Sequence, residues 1–499
     1  MDQITLTTLN ARYMHTAFGL RYLYANLGEL QDQAEMIEFT IHERPMDIAE
    51  KLLAKKPKII SFSVYIWNVT EVTETVGLIK QIAPEVIIIL GGPEVSHPPD
   101  LPDVVDQADY VVTGAGEISF QKLCQQILLD NKPAGKIIEG QVAALDDLEM
   151  PYEFYSEEDI RNRLIYVEAS RGCPFKCEFC LSSLDKTAKP FELVCFLAEI
   201  EKLYNRGARN FKFIDRTFNL KVSSSITIME FFLDRMTEDL YLHFEVIPDN
   251  LPDKLKETIK RFPANSLQFE IGIQTFDPEI QSLISRKQNN EKSRENLRWL
   301  RENTGAHIHA DLIFGLPGDT LENFSKSFNE LAELIPQEIQ LGILKRLRGA
   351  PINRHTEEYQ LRYNQKAPYN ILCTRDIDFM TIQQVNRFAR FWDMIGNSGR
   401  FPNTLPVILE EDPFQRFFQL SNGLYLSAEG TWKISLKRLY NLLYEQLTKT
   451  LNVVPDLAKK VLEDDYLRSG QKGMPSFIKP PLKVVTKTGV ANKRQRNHL

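Results

Sequence analysis

Short apolar runs alternate with helical patterns over the first 140 residues, and this alternation restricts the fold more than any other feature of the chain. A parallel sheet covered by helices on both faces buries such runs completely. We therefore predict an α/β, doubly wound, flavodoxin-like domain over residues 1–140. Its five or so strands are ITLTTLN, AEMIEFTI, KIISFSVYIW, EVIIIL and ADYVVTG. Ligands of such sheets bind beyond the carboxyl ends of the strands.

A second series of strands follows between residues 163 and 350. Six β/α units with strands buried on both faces predict a partial (β/α)6 barrel, with its chemistry at the carboxyl-terminal rim. The predicted strands are LIYVEAS, NFKFIDRT, LHFEVIPD, SLQFEIGIQT, HIHADLIFGL and EIQLGILKRL. His307 and His309 alternate along the fifth of these strands, and at least one should belong to the core or to the lining of the barrel.

The remaining segments complete the predicted domain organisation. Residues 141–162 are acidic and broken by Pro151, which is typical of a linker or a crossing strap. Residues 351–480 carry mostly helical patterns and predict a helical C-terminal domain. Residues 481–499 are rich in Lys and Arg, and we expect a mobile, solvated tail.

Composition restricts the partners and the compartment of the chain. The net charge of −7 provides no overall positive field for nucleic acid or for an anionic membrane. The N-terminus lacks the pattern of a secretory signal, and no apolar run is long enough to span a membrane, so a cytoplasmic location is expected. Three of the six cysteines fall in one octapeptide, unlike the even spread of a disulfide framework.

The octapeptide holds the strongest chemical signal. Cys173, Cys177 and Cys180 have the spacing C-x-x-x-C-x-x-C in the loop after the first barrel strand. Thiolates are the soft ligands of iron-sulfur clusters, and three of them on a four-iron cluster leave one iron open. A zinc site or inert cysteines are the alternatives, but zinc prefers four ligands and the nearest further cysteine is Cys195.

This octapeptide resembles the signature of the radical S-adenosylmethionine (SAM) superfamily, whose [4Fe-4S] cluster binds SAM and cleaves it to a 5'-deoxyadenosyl radical. The resemblance implies that Phe179 packs beside the adenine. Residues at later strand ends look like the SAM-binding positions of the superfamily; they are Asp215, Arg216, Asn219, Glu270, Gln274, Asp311, Gly315, Pro317 and Gly318. For each of these residues, a purely structural role is the alternative.

The strand-end loops of the first domain resemble those of a cobalamin-binding domain. The matching segments are residues 61–68, 90–96 and 113–117. The resemblance implies cobalamin contacts from Ser63, Tyr65, Trp67, Asn68, Gly91, Gly92, Pro93, Glu94, Gly114 and Glu117. His15 departs from the corrinoid motif D-x-H-x-x-G, so it is a lower cobalt ligand, a lining residue or an ordinary histidine at a helix start. A doubly wound fold that binds no cofactor is the alternative for the whole domain.

The complete order of domains resembles the B12-binding radical SAM proteins, in a branch with an uncharacterised helical C-terminal domain. The resemblance implies cobalamin, SAM and a [4Fe-4S] cluster as cofactors, and methyl transfer to an unactivated carbon. A radical lyase or cyclase and a corrinoid sensor are the alternatives. Expected partners are a small-molecule or peptide substrate and a low-potential electron donor such as ferredoxin or flavodoxin. Nucleic acid is not expected, because the one basic stretch is the tail.

Overall fold

The structure, a computed structural model, describes residues 3–470 and 473–478. The chain divides into two compact units, Met1–Gln383 and Gln384–Leu499. The first unit holds both predicted sheets. The tail predicted over residues 481–499 lies outside the described residues.

The first sheet has six parallel strands in the order β2-β1-β3-β4-β5-β6. Its strands are β1 (Ile4–Asn10), β2 (Ala34–Thr40), β3 (Ile59–Ser63), β4 (Ile87–Gly91), β5 (Tyr110–Thr113) and β6 (Ile137–Glu139). Its helices are α1 (Phe18–Ala25), α2 (Pro45–Ala54), α3 (Val69–Ile82), α4 (Val104–Gln107) and α5 (Glu117–Leu128). The five predicted strands are present. The sixth, β6, has only three residues, two of them exposed, so its sequence carries little apolar signal.

Side chains of the central strands alternate between two apolar cores, one on each face of this sheet. In β3, Ile60 and Phe62 belong to one core and Ile59 to the other. In β4, Ile88 and Leu90 join the first core, whereas Ile87 and Ile89 join the second. A strand with two buried faces reads as a continuous apolar run. The predicted doubly wound fold is confirmed.

The second sheet also has six parallel strands, and they follow one another in sequence order. They are β7 (Ile165–Val167), β10 (Asn210–Phe213), β11 (Tyr241–Val246), β12 (Leu267–Gln274), β13 (His307–Phe314) and β14 (Glu338–Ile343). Two short antiparallel strand pairs accompany them, β8 (Ser170–Arg171) with β9 (Lys189–Pro190) and β15 (Arg362–Tyr363) with β16 (Ile371–Cys373). The intervening helices are α7 (Leu193–Asn205), α8 (Val222–Leu233), α9 (Asp253–Lys260), α10 (Pro278–Leu283), α11 (Asn290–Asn303) and α12 (Leu321–Glu333).

Strict alternation of burial gives the second sheet two different faces. In β12, Leu267, Phe269, Ile271 and Ile273 are buried, while the residues between them are partly exposed. The aromatic rings of Phe213, Phe244 and Phe269 pack in a row across three strands. The opposite side, which we call the inner face, is polar and includes Lys212, His243, Glu270, His307, His309, Asp311 and Glu338. The apolar outer face packs the helices and leaves the inner face free for chemistry.

Residues 141–162 form a packed strap. Two 3-10 turns, Leu145–Asp147 and Tyr152–Phe154, precede helix α6 (Glu157–Asn162). Ser156 caps α6 together with Asp159 in a capping box. Tyr152 and Tyr155 are buried, so this segment packs into the first unit through its aromatic side chains.

The compact units divide after Gln383, whereas the sequence places a domain boundary near residue 350. Residues just beyond 350 stay with the second sheet, because Ile352 N donates to Glu178 O and Ile371 N donates to Leu344 O. Helix α13 (Phe379–Ile395) crosses the division. Helices α14 (Thr404–Leu409), α15 (Pro413–Ala428), α16 (Leu436–Lys449) and α17 (Pro455–Arg468) lie in the second unit. Among the residues described, no helix is long and apolar enough to cross a membrane.

A carboxylate with little exposure ties the first sheet to the beginning of the second. Glu38 of β2 accepts hydrogen bonds from Asn10 Nδ2 at 2.6 Å and from Ala17 N at 2.9 Å. It also pairs with Arg21 at 2.6 Å and with Arg163, two residues before β7, at 2.9 Å. Burial favours the neutral acid, but these cations hold the pKa of Glu38 below its usual value. Glu38 is therefore ionised.

We predict that Glu38→Gln lowers the stability of the first unit by about 3–5 kcal/mol, because two buried guanidinium groups lose their shared counter-charge. Urea unfolding followed by circular dichroism measures the change. Glu43→Gln is the control, since Glu43 pairs with Lys51 at the surface and such pairs contribute about 0–1 kcal/mol. Equal unfolding midpoints for the two variants would contradict the role given to Glu38.

Candidate functional site

A cavity of about 820 Å³ lies where the strands of the first sheet end and faces the start of the second sheet. We call it the larger cavity, because it is larger than the cavity of about 250 Å³ that the cysteines line. Backbone around Asn10, Ser63 and Gly91, at the ends of β1, β3 and β4, forms one wall. Tyr166 and Arg171, from β7 and β8, contribute to the opposite wall. Parallel strands place their carboxyl ends at one edge, which explains why distant loops converge here.

Most of the predicted cobalamin-site residues line the larger cavity; they are His15, Ser63, Tyr65, Trp67, Gly91, Gly92, Gly114 and Glu117. Gly92 has a φ of +101°, and a Cβ there would approach Val64 O to 2.6 Å. Only glycine fits this turn without strain. The rings of Tyr65 and Trp67 stack at 4.3 Å with an angle of 8° between them. They present a flat aromatic surface to the cavity.

Three of the predicted residues do not line the larger cavity. Asn68 is fully buried; its Oδ1 accepts from Tyr65 N and its Nδ2 donates to Leu9 O and Ser63 O. Asn68 therefore braces the loop that carries Tyr65. Pro93 starts a 3-10 turn, and Glu94 is buried and pairs with Arg348 at 2.8 Å. These residues hold the lining loops in place.

His15 lies in the loop before α1 and lines the larger cavity. Its Nδ1 is 2.7 Å from the hydroxyl of Tyr166, and Arg163 donates to its carbonyl oxygen. Burial and the nearby Lys212 lower the pKa of His15, so the imidazole is neutral near neutral pH. The structure therefore places His15 as a lining residue whose Nδ1 is engaged by Tyr166. Its role as a cobalt ligand stays a prediction.

Sequence reasoning missed a charged cluster in this cavity. Arg171, two residues before Cys173, pairs with Glu117 at 2.8 Å and with Glu168 at 3.1 Å. It also stacks over the ring of Tyr22 at 4.7 Å. The position of Arg171 directly ahead of the cysteine loop was the one available signal. The cluster joins the last loop of the first sheet to the cysteine loop.

The three cysteines line a second cavity of about 250 Å³, the cysteine cavity. Burial raises the pKa values of Cys173 and Cys177. Arg286 Nη1, 3.5 Å from Cys177 Sγ, opposes this effect and favours the thiolate. In the described part of the chain, no three His, Cys, Asp or Glu side chains converge as ligands of one metal ion. The thiols form one wall of a cavity, and as soft donors they suit a cluster that fills part of it.

Glu178 fixes the cysteine loop from within. Its carboxylate accepts from Ser285 Oγ at 2.6 Å and pairs with Arg354 at 2.7 Å and His355 at 3.0 Å. Its backbone N donates to Ile284 O at 3.0 Å. These contacts were not predictable from the sequence, because the partners lie more than 100 residues away. They orient the loop so that its thiols face the cavity.

The predicted SAM-binding residues divide into two groups. Those that line the cysteine cavity are Phe179, Arg216, Glu270, Gln274 and Asp311. Those that do not line it are Asp215, Asn219, Gly315, Pro317 and Gly318. The first group is brought together from the loops after β7 and β10 and from strands β12 and β13.

The second group holds the surrounding loops. Asp215 is buried and accepts from Ala169 N and Ser170 Oγ, and burial raises its pKa to about 7. Asn219 is buried and bonds the backbone of Ile247 and Asn250. The turn from Gly315 to Gly318 packs on Ile371 and Tyr359, away from the cavity. Its glycines allow close packing of protein on protein rather than an approach to a ligand.

The two cavities share a wall. Arg216 and Ser182 line both of them. Arg216 pairs with Glu245 at 3.1 Å, yet 55% of its side chain is exposed to the cavities. A ligand in either cavity therefore meets the same guanidinium group.

A chain of titratable groups crosses the inner face below the cysteine cavity. His309 Nε2 lies 3.2 Å from Asp311, and His309 Nδ1 lies 3.2 Å from Glu338. Glu338 also accepts from His307 Nε2 at 3.0 Å. Burial favours neutral His309, but Asp311 and Glu338 raise its pKa to about 10. His309 is therefore an imidazolium at neutral pH, and both of the alternating histidines lie on the inner face.

We predict that Glu338→Gln lowers the pKa of His309 from about 10 by at least about 1, because one of its two carboxylate partners is lost. Hydrogen–deuterium exchange at histidine C2, followed by mass spectrometry from pH 5 to 11, measures this pKa. Glu322→Gln, which removes an exposed partner of Lys326, should leave it unchanged. An unchanged pKa of His309 in Glu338→Gln would contradict the ion pair between these two residues.

Three family models match successive parts of the chain. Residues 4–124 match the model of the B12 binding domain, and residues 167–331 match that of the radical SAM superfamily. Residues 357–498 match a protein family of unknown function, DUF4080. The chain thus combines a B12 binding domain with a radical SAM domain and a DUF4080 domain. The predicted resemblance to B12-binding radical SAM proteins is confirmed.

Curated relatives are distant. The cobalamin-dependent radical SAM methyltransferase TokK of Streptomyces tokunonensis is 25% identical over 63% of this chain and 51% of its own length. The uncharacterized methyltransferase PH0819 of Pyrococcus horikoshii is 24% identical over 61% of this chain and 70% of its own. A 2-(S-pantetheinyl)-carbapenam-3-carboxylate methyltransferase of Streptantibioticus cattleyicolor is 23% identical over 60% and 48%. The chain thus spans about half the length of the first and third of these relatives.

Solved structures share the fold. The cobalamin-dependent SAM radical enzyme OxsB with aqua-cobalamin bound superposes with a TM-score of 0.62 and 14% identity over 94% of this chain and 80% of that one. The methyltransferase TsrM of Kitasatospora setae, solved with tryptophan and a SAM analogue, gives 0.58 and 17% over 74% and 79%. At these identities the likeness extends to architecture alone.

Proposed function

We propose that the protein is a cobalamin-dependent radical SAM enzyme. The observation that carries the proposal is the wall shared by the two cavities, at Ser182 and Arg216. Cys173, Cys177 and Cys180 would hold a [4Fe-4S] cluster, and SAM would occupy the rest of the cysteine cavity. The larger cavity, of which one wall belongs to the region that matches the B12 binding domain, would hold cobalamin. Two cofactors placed in these cavities would meet at Arg216.

We propose methyl transfer to an unactivated carbon as the reaction. When bound, the cofactors supply a carbon radical on the substrate and a methyl group for it, and the protein supplies orientation and shielding. Arg216 would hold the carboxylate or phosphate-like groups that approach the shared wall. The three curated relatives described above are named as methyltransferases, which favours this reaction over the lyase, the cyclase and the sensor.

The inner face indicates the kind of substrate. Lys212 and His243 both contact Glu270, and the imidazolium of His309 lies nearby between two carboxylates. A surface of this kind stabilises hydrogen-bonding groups and discourages purely apolar ligands. We therefore propose a polar small molecule or a peptide as the substrate. A low-potential one-electron donor and a cytoplasmic location complete the proposal.

We predict that anaerobically reconstituted protein binds about four irons and, with dithionite as the one-electron reductant, converts SAM to 5'-deoxyadenosine. Cys177→Ala should do neither, because one of the three ligands is lost. Iron analysis and liquid chromatography of the nucleosides measure both results. Cys195→Ala is the matched control, since Cys195 is exposed on α7 outside the cavity. Wild-type iron content in Cys177→Ala would contradict the cluster assignment.

Nucleoside products distinguish the reactions. A methyltransferase of this kind forms both S-adenosylhomocysteine and 5'-deoxyadenosine in one reaction. Deoxyadenosine alone identifies a lyase or cyclase, and the absence of both identifies a sensor.

We predict that the full-length protein, produced with ample cobalamin, retains a corrinoid that is visible in its absorption spectrum. His15→Ala should keep the corrinoid, because many other residues line the larger cavity. A shift of the absorption bands in His15→Ala would identify the imidazole as a cobalt ligand, and an unchanged spectrum would identify a lining residue. Colourless wild-type protein would contradict a cobalamin site.

A further inference from the structure

The outer side of the cysteine loop faces a surface depression of about 880 Å³. Phe175 and Lys176, at the tip of the loop, form one side of it. The end of α10 and the loop that follows it, from Ser282 to Asn289, form the other side. Lys176, Ser282 and Lys287 are exposed, so the depression opens to solvent.

The depression and the cysteine cavity are two sides of one thin wall. Five residues line both; they are Phe175, Asp249, Arg286, Lys287 and Gln288. Arg286 is the most informative of them, because its Nη1 lies 3.5 Å from Cys177 Sγ. Arg286 therefore lies between the Cys177 thiol and the depression, which opens to solvent.

The depression is positively charged. Lys176, Arg286 and Lys287 line the depression, against the single carboxylate of Asp249. Asp249 Oδ2 already accepts from Asn289 N at 2.6 Å. Neither lysine has an ion-pair partner among the residues that the structure describes. This local excess of positive charge is opposite in sign to the net charge of the chain, which is −7.

A further cation adjoins this surface. Arg354, whose side chain is 62% exposed, pairs with Glu178. Ser285, which lines the depression, donates to the same carboxylate at 2.6 Å. Glu178 is buried and also pairs with His355. Its carboxylate balances the charge of Arg354, so the excess positive charge of the surface comes from Lys176, Arg286 and Lys287.

We propose that this depression is the docking surface for a small acidic electron-carrier protein. The inference rests on the proposed cluster and extends the proposed function to its electron supply. The reduced carrier loses one electron and the oxidised cluster gains it, without bond formation or proton transfer. Transient redox complexes bury small interfaces and depend on charge complementarity for rapid association. The depression is cationic, so it suits an acidic carrier, and only a thin wall separates it from the cysteine cavity.

The experiment uses full-length reconstituted protein and a reduced acidic flavodoxin as the probe. Titration calorimetry measures binding, and anaerobic stopped-flow absorbance measures oxidation of the flavodoxin. Lys176→Glu should weaken binding and slow oxidation roughly tenfold at low salt, with a smaller effect at high salt. Ser282→Lys adds a positive charge to the same surface and should strengthen binding. Lys122→Glu, an equal charge change on α5, should match the wild type.

Dithionite separates this proposal from the proposed function. A small reductant needs no docking surface, so Lys176→Glu should form deoxyadenosine with dithionite at the wild-type rate. If the wild type forms none with dithionite, the enzyme assignment fails, while binding of flavodoxin still tests the surface. If Lys176→Glu loses the dithionite reaction as well, the affinity of Ser282→Lys for flavodoxin tests the docking surface instead. Unchanged flavodoxin affinity in Ser282→Lys, or in Lys176→Glu, overturns the proposal.

Discussion

The rest of the site depends on the hydrogen bonds and ion pairs of the Glu38 carboxylate, which has little exposure. It binds the backbone of Ala17 and the side chains of Asn10, Arg21 and Arg163. Asn10 and Ala17 lie at the two ends of a loop that lines the larger cavity. Arg163 precedes the first strand of the second sheet. A buried ion costs desolvation energy that only close partners offset. One ionised group therefore fixes the His15 loop and the approach of the two sheets together.

Parallel strands then decide where chemistry is possible. Every strand of both six-stranded sheets ends on the same side of its sheet, so loops that are far apart in sequence meet at two edges. The larger cavity collects the loops after β1, β3, β4 and β5, and the cysteine cavity collects those after β7, β10 and β11. Arg171 joins the two sets, because it pairs with Glu117 of the first sheet and lies two residues before Cys173.

Patterns local in sequence were sufficient for the strands and the cysteines. Runs such as EVIIIL and HIHADLIFGL carry their own periodicity, and the cysteine spacing is contained in eight residues. Side-chain direction was not predictable. Asn68 and Asn219 stand in motif positions but turn into the protein to hold backbone, and Gly315 packs on Ile371. Contacts of Glu178 with Arg354 and of Arg286 with Cys177 span more than 100 residues and leave no periodic trace.

Charge placement on the inner face explains why the second sheet tolerates so many polar groups. Each cation has a carboxylate within about 3 Å, as in the pairs of Lys212 with Glu270 and of His309 with Asp311. Paired charges of this kind cost little net energy in a partly dry cavity. Arg216 differs, because more than half of its side chain remains exposed although it pairs with Glu245. The exposed part of Arg216 therefore lies at the wall between the cavities, where a bound anionic group would complete its coordination.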